Sequence, residues 1–391
     1  MKVTTKIAKK RTRFPWICYL WKNNGIDMKK LLLFAVMLLT LGACKKQDAF
    51  TQSFQAPVGD IRALYIRLGN NMWCDWPVQT MGSDLQEAVK LLPENKRPDL
   101  RLTTVDSLWR KVTDYAAANG VNMLVVDLGE GLQYPSHPEL AVEGSWSVEK
   151  MRDEIRRLNA LGMEVIPKLN FSNTHNGWMK DYRHMVSSAP YYRMCSEVIA
   201  DAAEIFGHPR FFHIGYDEET VGHQSGFTYR MQRVGESWWS DFLFILGEVE
   251  KQGARPWVWC DYGWTHPEYF ERCPKSVIQQ NWYYDEAYGG FDPETNRTDD
   301  HERLIMFWKL EEAGFDQVPC GTNWVGYKRR ELNVGADDVI GKLVRTCRKV
   351  ISKDHLYGFM MAPWSPCTAE GTDFQLHGID LFREAIASEP E

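Results

Sequence analysis

From Asp60 onward, short runs of apolar and β-branched residues alternate eight times with longer stretches of helical spacing. That alternation marks repeated βα units wound around a parallel sheet. The strands are expected to begin at Ala63–Ile66, Met123–Val126, Glu164–Pro167, Phe211–Ile214, Trp257–Trp259, Val277–Gln279, Gln317–Pro319 and Tyr357–Met360. Helices are expected from Val105 to Asn119, closed by Gly120, and from Ser147 to Leu161, with Ser147 as cap and Gly162 at the far end. Eight such units make an α/β fold of the (β/α)8 TIM-barrel type, a single catalytic domain over residues 60–391. The roughly 250 residues typical of that fold leave about 90 for elongated βα loops, expected at Gly69–Leu102 and Asp285–Asp300. An open doubly wound sheet is the main rival, but no Gly-rich phosphate loop follows the first strand. No cofactor is expected.

The first 43 residues are expected to be an address rather than part of the fold. Met28-Lys29-Lys30 precedes the apolar run Leu31 to Leu41, and Gly42-Ala43-Cys44 follows. A charged start, a short apolar core and small residues before a cysteine resemble a bacterial lipoprotein signal. The resemblance implies cleavage before Cys44, a lipid on its thiol, and a short tether over residues 44–59. An eleven-residue run falls short of the roughly 20 apolar residues that cross a bilayer. The chain is therefore expected in the bacterial cell envelope, anchored through Cys44. Lys45 and Lys46 stand where acidic residues would accompany surface export, so a periplasmic orientation is expected.

Charge narrows the partners. The chain carries 46 Lys plus Arg against 52 Asp plus Glu, net −6. Cleavage removes nine basic residues and one acid, which leaves 37 against 51 and a net charge of −14. Such a body repels polyanions, so no nucleic-acid partner is expected, whereas a neutral sugar feels little long-range field. Seven cysteines remain in the body without CxxC or Cys/His metal spacing, so no structural metal is expected, and disulfide pairing stays open.

In a barrel, the residues just past each strand build the active site. Tryptophan dominates them: Trp73 and Trp76 after the first strand, Trp178 after the third, Trp264 after the fifth, Trp282 after the sixth, Trp324 after the seventh and Trp364 after the eighth. Flat apolar rings with one N–H donor suit the C–H faces of pyranoses. A carbohydrate pocket is expected: each ring taken alone fits core or loop packing better than ligand contact, their shared position past the strands favours the set as a sugar wall, and Trp282 and Trp364 are its best two contacts. The fourth strand runs Phe211-Phe212-His213-Ile214-Gly215-Tyr216-Asp217-Glu218-Glu219 and delivers adjacent carboxylates to the mouth, where acids are costly unless used or paired.

His-Ile-Gly-Tyr-Asp-Glu resembles the His-x-Gly-Gly-Asp-Glu motif of glycoside hydrolase family 20, the β-N-acetylhexosaminidases. The resemblance implies Glu218 as general acid/base and Asp217 as the residue that orients a 2-acetamido group, whose carbonyl oxygen attacks the anomeric carbon. Tyr216 replaces the second glycine, and its side chain is expected to narrow or reshape the subsite. Val165-Ile166-Pro167-Lys168-Leu169-Asn170 with His175 beyond is similar to the family's third strand, although Lys168 and Asn170 stand where it has acids. Gln280-Asn281-Trp282-Tyr283 and Ala362-Pro363-Trp364-Ser365 resemble its sixth and eighth strand ends. Arg67 stands where the family binds sugar hydroxyls. The stretch from Asp127 through Ser136-His137-Pro138-Glu139 to Trp146 is similar to a divergent branch of exported hexosaminidase-like proteins. The substrate-binding set implied is Arg67, Asn170, His175, His213, Asp261, Trp282, Tyr283, Trp324 and Trp364, for a carbohydrate substrate with a terminal N-acetylhexosamine, cleaved exo-fashion with retention.

The chemistry leaves alternatives. Glycoside cleavage needs a proton for the leaving oxygen and a nucleophile or counter-charge for the oxocarbenium-like centre. The seventh strand end, Val318 to Asn323, holds no acid, and substrate assistance removes the need for one. Asp261 and Asp285 remain open as nucleophile or hydroxyl ligands of a two-carboxylate glycosidase on a sugar without acetamide. A non-catalytic glycan-binding lipoprotein is the alternative from another class. Asp217 and Glu218 would also fit a structural ion pair with Arg67 or Lys168, His213 a satisfied core histidine, and Glu219 a brace for the loop that holds His223.

Overall fold

The eight expected strands form one parallel sheet: β1 Ile61–Arg67, β2 Met123–Asp127, β3 Glu164–Lys168, β4 Phe211–His213, β5 Arg255–Trp259, β6 Ile278–Gln280, β7 Cys320–Gly321 and β8 Gly358–Met361. The protein is described by a computed structural model that covers residues 50–78, 84–284, 302–324 and 339–388. Neighbours run β6-β5-β4-β3-β2-β1-β8-β7. Single bridges from Gln279 to Gln317 and from Trp282 to Cys320 join the two ends. The nearly closed barrel has strands buried on both faces, which is why β2 and β3 read as continuous buried runs rather than alternating ones.

Helices occupy the intervals as their spacing requires. Asp106–Ala118 follows β1, and Val148–Ala160 follows β2, where the Ser147 hydroxyl accepts the Lys150 N–H at 3.2 Å. Further helices span Ala189–Ile205, Glu236–Lys251, Glu302–Glu312, Val339–Val350 and Thr372–Ala387. Between β5 and β6 the helix shrinks to the single turn Tyr269–Arg272. The segment Gly69–Leu102 is the long loop expected, and it carries two short 3-10 turns and the helix Leu85–Lys90. The second expected loop, Asp285–Asp300, lies outside the described residues, as do Cys44 and the expected signal over residues 1–43.

The seventh strand departs from expectation: its ladder residues are Cys320–Gly321, three positions beyond Gln317. Pro319 explains the shift, because it has no N–H to donate. Val318 and Cys320 donate to the Gln279 and Asn281 carbonyls at 3.0 and 2.9 Å, while Pro319 only accepts, from Met360 at 2.9 Å. Among the described residues no helix is long and apolar enough to cross a membrane. All seven body cysteines are free thiols.

Candidate active site

The carboxyl ends of the strands open into a cavity of about 540 Å³. Asp217 and Glu218 line it, together with His175 and Tyr283. Trp73, Trp282, Trp324 and Trp364 form its aromatic walls. Trp259, Tyr284 and Arg303 also line it. Sequence reasoning missed those three: Trp259 reads as a strand residue, and Arg303 arrives from the helix Glu302–Glu312, where periodicity gives no hint of a cavity. The other tryptophans pack elsewhere. Trp178 is fully buried and donates to the Asn170 carbonyl at 2.9 Å, Trp76 donates to Asp181 at 3.1 Å, and Trp264 stands behind Trp282 with ring centroids 4.7 Å apart.

The loop that presents the acids is held in an uncommon backbone conformation. Gly215, Tyr216 and Glu218 have φ of 67°, 80° and 55°. Left-handed non-glycine residues cost about 1–3 kcal/mol each and persist where neighbours over-determine them. Here four hydrogen bonds do so. The Tyr216 N–H donates to Asn170 Oδ1 at 3.0 Å and the Glu218 N–H to Asp261 Oδ2 at 2.8 Å. The Thr174 hydroxyl and the Thr220 N–H donate to the Glu218 carbonyl at 2.8 and 2.7 Å. Gly215 admits no side chain, since a Cβ there would lie 2.2 Å from Asn170 Cγ.

His175 stands between the two acids. Its Nδ1 is 3.3 Å from Asp217 Oδ1 and its Nε2 3.5 Å from Glu218 Oε2. The first contact is an approach of charges without hydrogen-bond geometry, for Nδ1 is enclosed and otherwise unpartnered. Burial opposes charge on this imidazole, but Asp217 and Glu218 raise it to about 10. Burial likewise opposes ionisation of Asp217, yet His175, with Lys168 and the Asn170 amide at 2.7 Å, holds its carboxyl well below the usual range. Asp217 is thus an anion fixed by a cation, while Glu218, half-buried, has its other oxygen 3.4 Å from His223 Nε2. One ligand atom from each of His175, Asp217 and Glu218 falls within 4.8 Å of the others, but His175 held as a cation has no lone pair to offer a metal.

Several expected roles are redistributed. Asn170 is buried and orients Asp217 and the loop rather than lining the cavity. Asp261 grips the Glu218 backbone; burial and the nearby Asp217 raise its carboxyl well above the ordinary range. His213 is the satisfied core histidine: its Nδ1 accepts the Gly215 N–H at 3.0 Å and its Nε2 meets Gln280 Oε1 at 2.7 Å. Burial and Lys168 push it down to about 3, so it is neutral. Arg67 is buried beneath Trp73, its guanidinium 4.8 Å from that ring. Lys168 pairs with Asp127 at 2.5 Å, so neither cation forms the structural ion pair with Asp217 or Glu218.

Tyr216 does not narrow the subsite. Its side chain is buried against Trp238 and Phe242, with ring centroids 5.3 and 5.0 Å away, because the left-handed turn aims it out of the barrel and under the Arg233 guanidinium at 4.7 Å. Glu219 braces the loop that holds His223 by accepting from Arg233 at 2.6 and 2.7 Å. Asp285 lies outside the described residues.

No protein-family model matches the chain, and no curated protein does. Among solved structures it is similar to the β-N-acetylhexosaminidase from Bacteroides fragilis NCTC 9343, with 13% identity and a TM-score of 0.50, over 82% of this chain and 65% of that one. The chain thus spans less than two thirds of that relative's length. It is also similar to Dispersin B, with 16% identity and a TM-score of 0.50, over 72% of this chain and 94% of that one. Both likenesses establish the fold: a (β/α)8 barrel of the kind found in these two proteins.

Proposed function

We propose that the protein is a retaining exo-glycosidase that releases a terminal N-acetylhexosamine by substrate-assisted cleavage. The observation that carries this reading is the pair Asp217 and Glu218 opening together into a cavity walled by tryptophans. Glu218 protonates the departing glycosidic oxygen and later accepts a proton from water. Asp217, held ionised by His175 and Asn170, accepts the acetamide N–H and turns the acetamide carbonyl toward the anomeric carbon. The flat rings of Trp282 and Trp364 take the C–H faces of the sugar. Two further points support the assignment. The seventh strand end offers no acid as protein nucleophile, and Asp261 is engaged with the loop backbone. The similarity to a solved β-N-acetylhexosaminidase agrees with the acetamide-bearing substrate.

Glu218→Gln should abolish turnover of an aryl N-acetyl-β-glucosaminide while the thermal transition is preserved; undiminished turnover refutes the assignment. Residues 60–391 are proposed as the catalytic domain, with residues 50–59 docked on it through Gln52, Ser53 and Ala56 and residues 44–49 leading on to lipid on Cys44 at the periplasmic face of a bacterial envelope. A Cys44→Ala chain should then move from the membrane to the soluble fraction.

A further inference from the structure

Glu130 belongs neither to the motif nor to the cavity wall, yet it is hydrogen-bonded to the turn that carries one wall. It sits in the 3-10 turn Gly129–Gly131 after β2 and is buried. Its Oε1 accepts the backbone N–H of Asn70 at 2.6 Å and of Asn71 at 3.1 Å. Those amides open the 3-10 turn Asn71–Trp73, whose last residue lines the cavity. The Trp73 ring lies over Arg67 and meets His175 and Trp364 edge-on, each at 6.0 Å. The carboxylate also fills space that any side chain at position 69 would need: a Cβ there would lie 2.8 Å from Glu130 Oε2 and 2.7 Å from the Leu128 carbonyl oxygen. Oε2 itself has no hydrogen-bond partner among the described residues. A purely structural acceptor would not need this acid, because burying a half-satisfied carboxylate is costly.

We propose that Glu130 is a positioning residue for the sugar site, its buried carboxyl oxygen clamping the Asn70 and Asn71 amides so that Trp73 stands as a wall of the cavity. The inference rests on the reading of the cavity as a sugar site. The titratable groups facing Glu130 are Asp127 at the end of β2, Cys74 beyond Trp73, Tyr134 on its own loop, and Lys180 from the segment Gly177–Met185. Burial pushes the Glu130 carboxyl up to about 7, against the amides it accepts, and Asp127 adds to the rise. Burial also pushes Cys74 up to about 12, raises Tyr134 and lowers Lys180. For an acid raised in this way, opening the turn hydrates the carboxylate. Closure is therefore tightest below the ordinary carboxylate range and weakens as pH rises through about 7.

Hydrogen exchange on the full chain reads the clamp without any substrate. Protection of the Asn70 and Asn71 amides, corrected for intrinsic rates, should fall by about tenfold or more between about pH 5 and pH 8 in the wild type, and stay level in E130Q, which keeps the acceptor but cannot ionise. E130A, which removes the acceptor, should raise KM for the aryl N-acetyl-β-glucosaminide by about tenfold, with kcat within about twofold. Unchanged KM in E130A, or equal pH dependence of the two amides in wild type and E130Q, would overturn the proposal. Should E130A not fold, the E130Q exchange profile decides. A chain inactive on the glycoside would sink the proposed function, while the exchange result would still stand or fall by itself.

Discussion

The carboxylate of Asp261, from the end of the fifth strand, accepts the backbone N–H of Glu218, from the end of the fourth, at 2.8 Å. One barrel strand thereby sets the backbone of the residue proposed as acid on its neighbour. A left-handed glutamate needs such an anchor, since the relaxed conformer would carry its carboxyl elsewhere. Asp261→Ala should lower kcat by roughly ten- to a hundredfold with little change in KM, the consequence of losing one buried acceptor worth about 1–3 kcal/mol. Asp261→Asn retains an oxygen for the same bond and should recover most of the rate. Steady-state kinetics on the aryl glycoside distinguish the pair, and equal loss in both variants would mean the charge, not the anchor, matters.

His175 gives the site a definite pH signature. Its folded-state value of about 10 lies above the ordinary imidazole value of 6.5. The stability it contributes is therefore fully present below about pH 6.5 and is lost as pH rises through about 10. Thermal unfolding of the wild type should weaken across that window, and His175→Gln should flatten the decline. The same variant removes the cation beside Asp217, so the acid limb of kcat/KM should move to higher pH.

Gly215 is a steric requirement. With a Cβ placed 2.2 Å from Asn170 Cγ and a φ of +67°, Gly215→Ala must displace Asn170 or the turn. Urea unfolding should show a loss of more than about 1 kcal/mol. Activity should fall further than stability, since Asn170 also holds Asp217.

The aromatic walls can be tested one ring at a time. Trp364→Ala removes a ring that touches the cavity and contacts Tyr65 with centroids 4.6 Å apart, whereas Trp178→Ala removes one buried behind the site. The first should weaken N-acetylglucosamine binding by roughly three- to tenfold, in line with about 0.5–1.5 kcal/mol for an aromatic contact. The second should act through stability. Isothermal titration and thermal melting separate the two effects, and comparable losses of affinity in both would argue against Trp364 as a direct contact.

The sequence by itself determined the barrel, because strand and helix periods differ and eight alternations leave few ways to bury every apolar run. It also placed Asp217, Glu218 and four of the seven singled-out tryptophans at the mouth, since a strand end in a barrel is a position along the chain. Side-chain direction was beyond its reach. Tyr216 turns away because its φ is positive, and His213 turns inward to Gln280 instead of upward to the cavity. Asn170 and Asp261 serve the loop backbone, a role set by hydrogen bonds between residues 46 and 43 positions apart. Trp259, Arg303 and Glu130 entered the account only with the tertiary structure. Their parts depend on which strands and loops become neighbours when the barrel closes, and no local pattern of polarity records that.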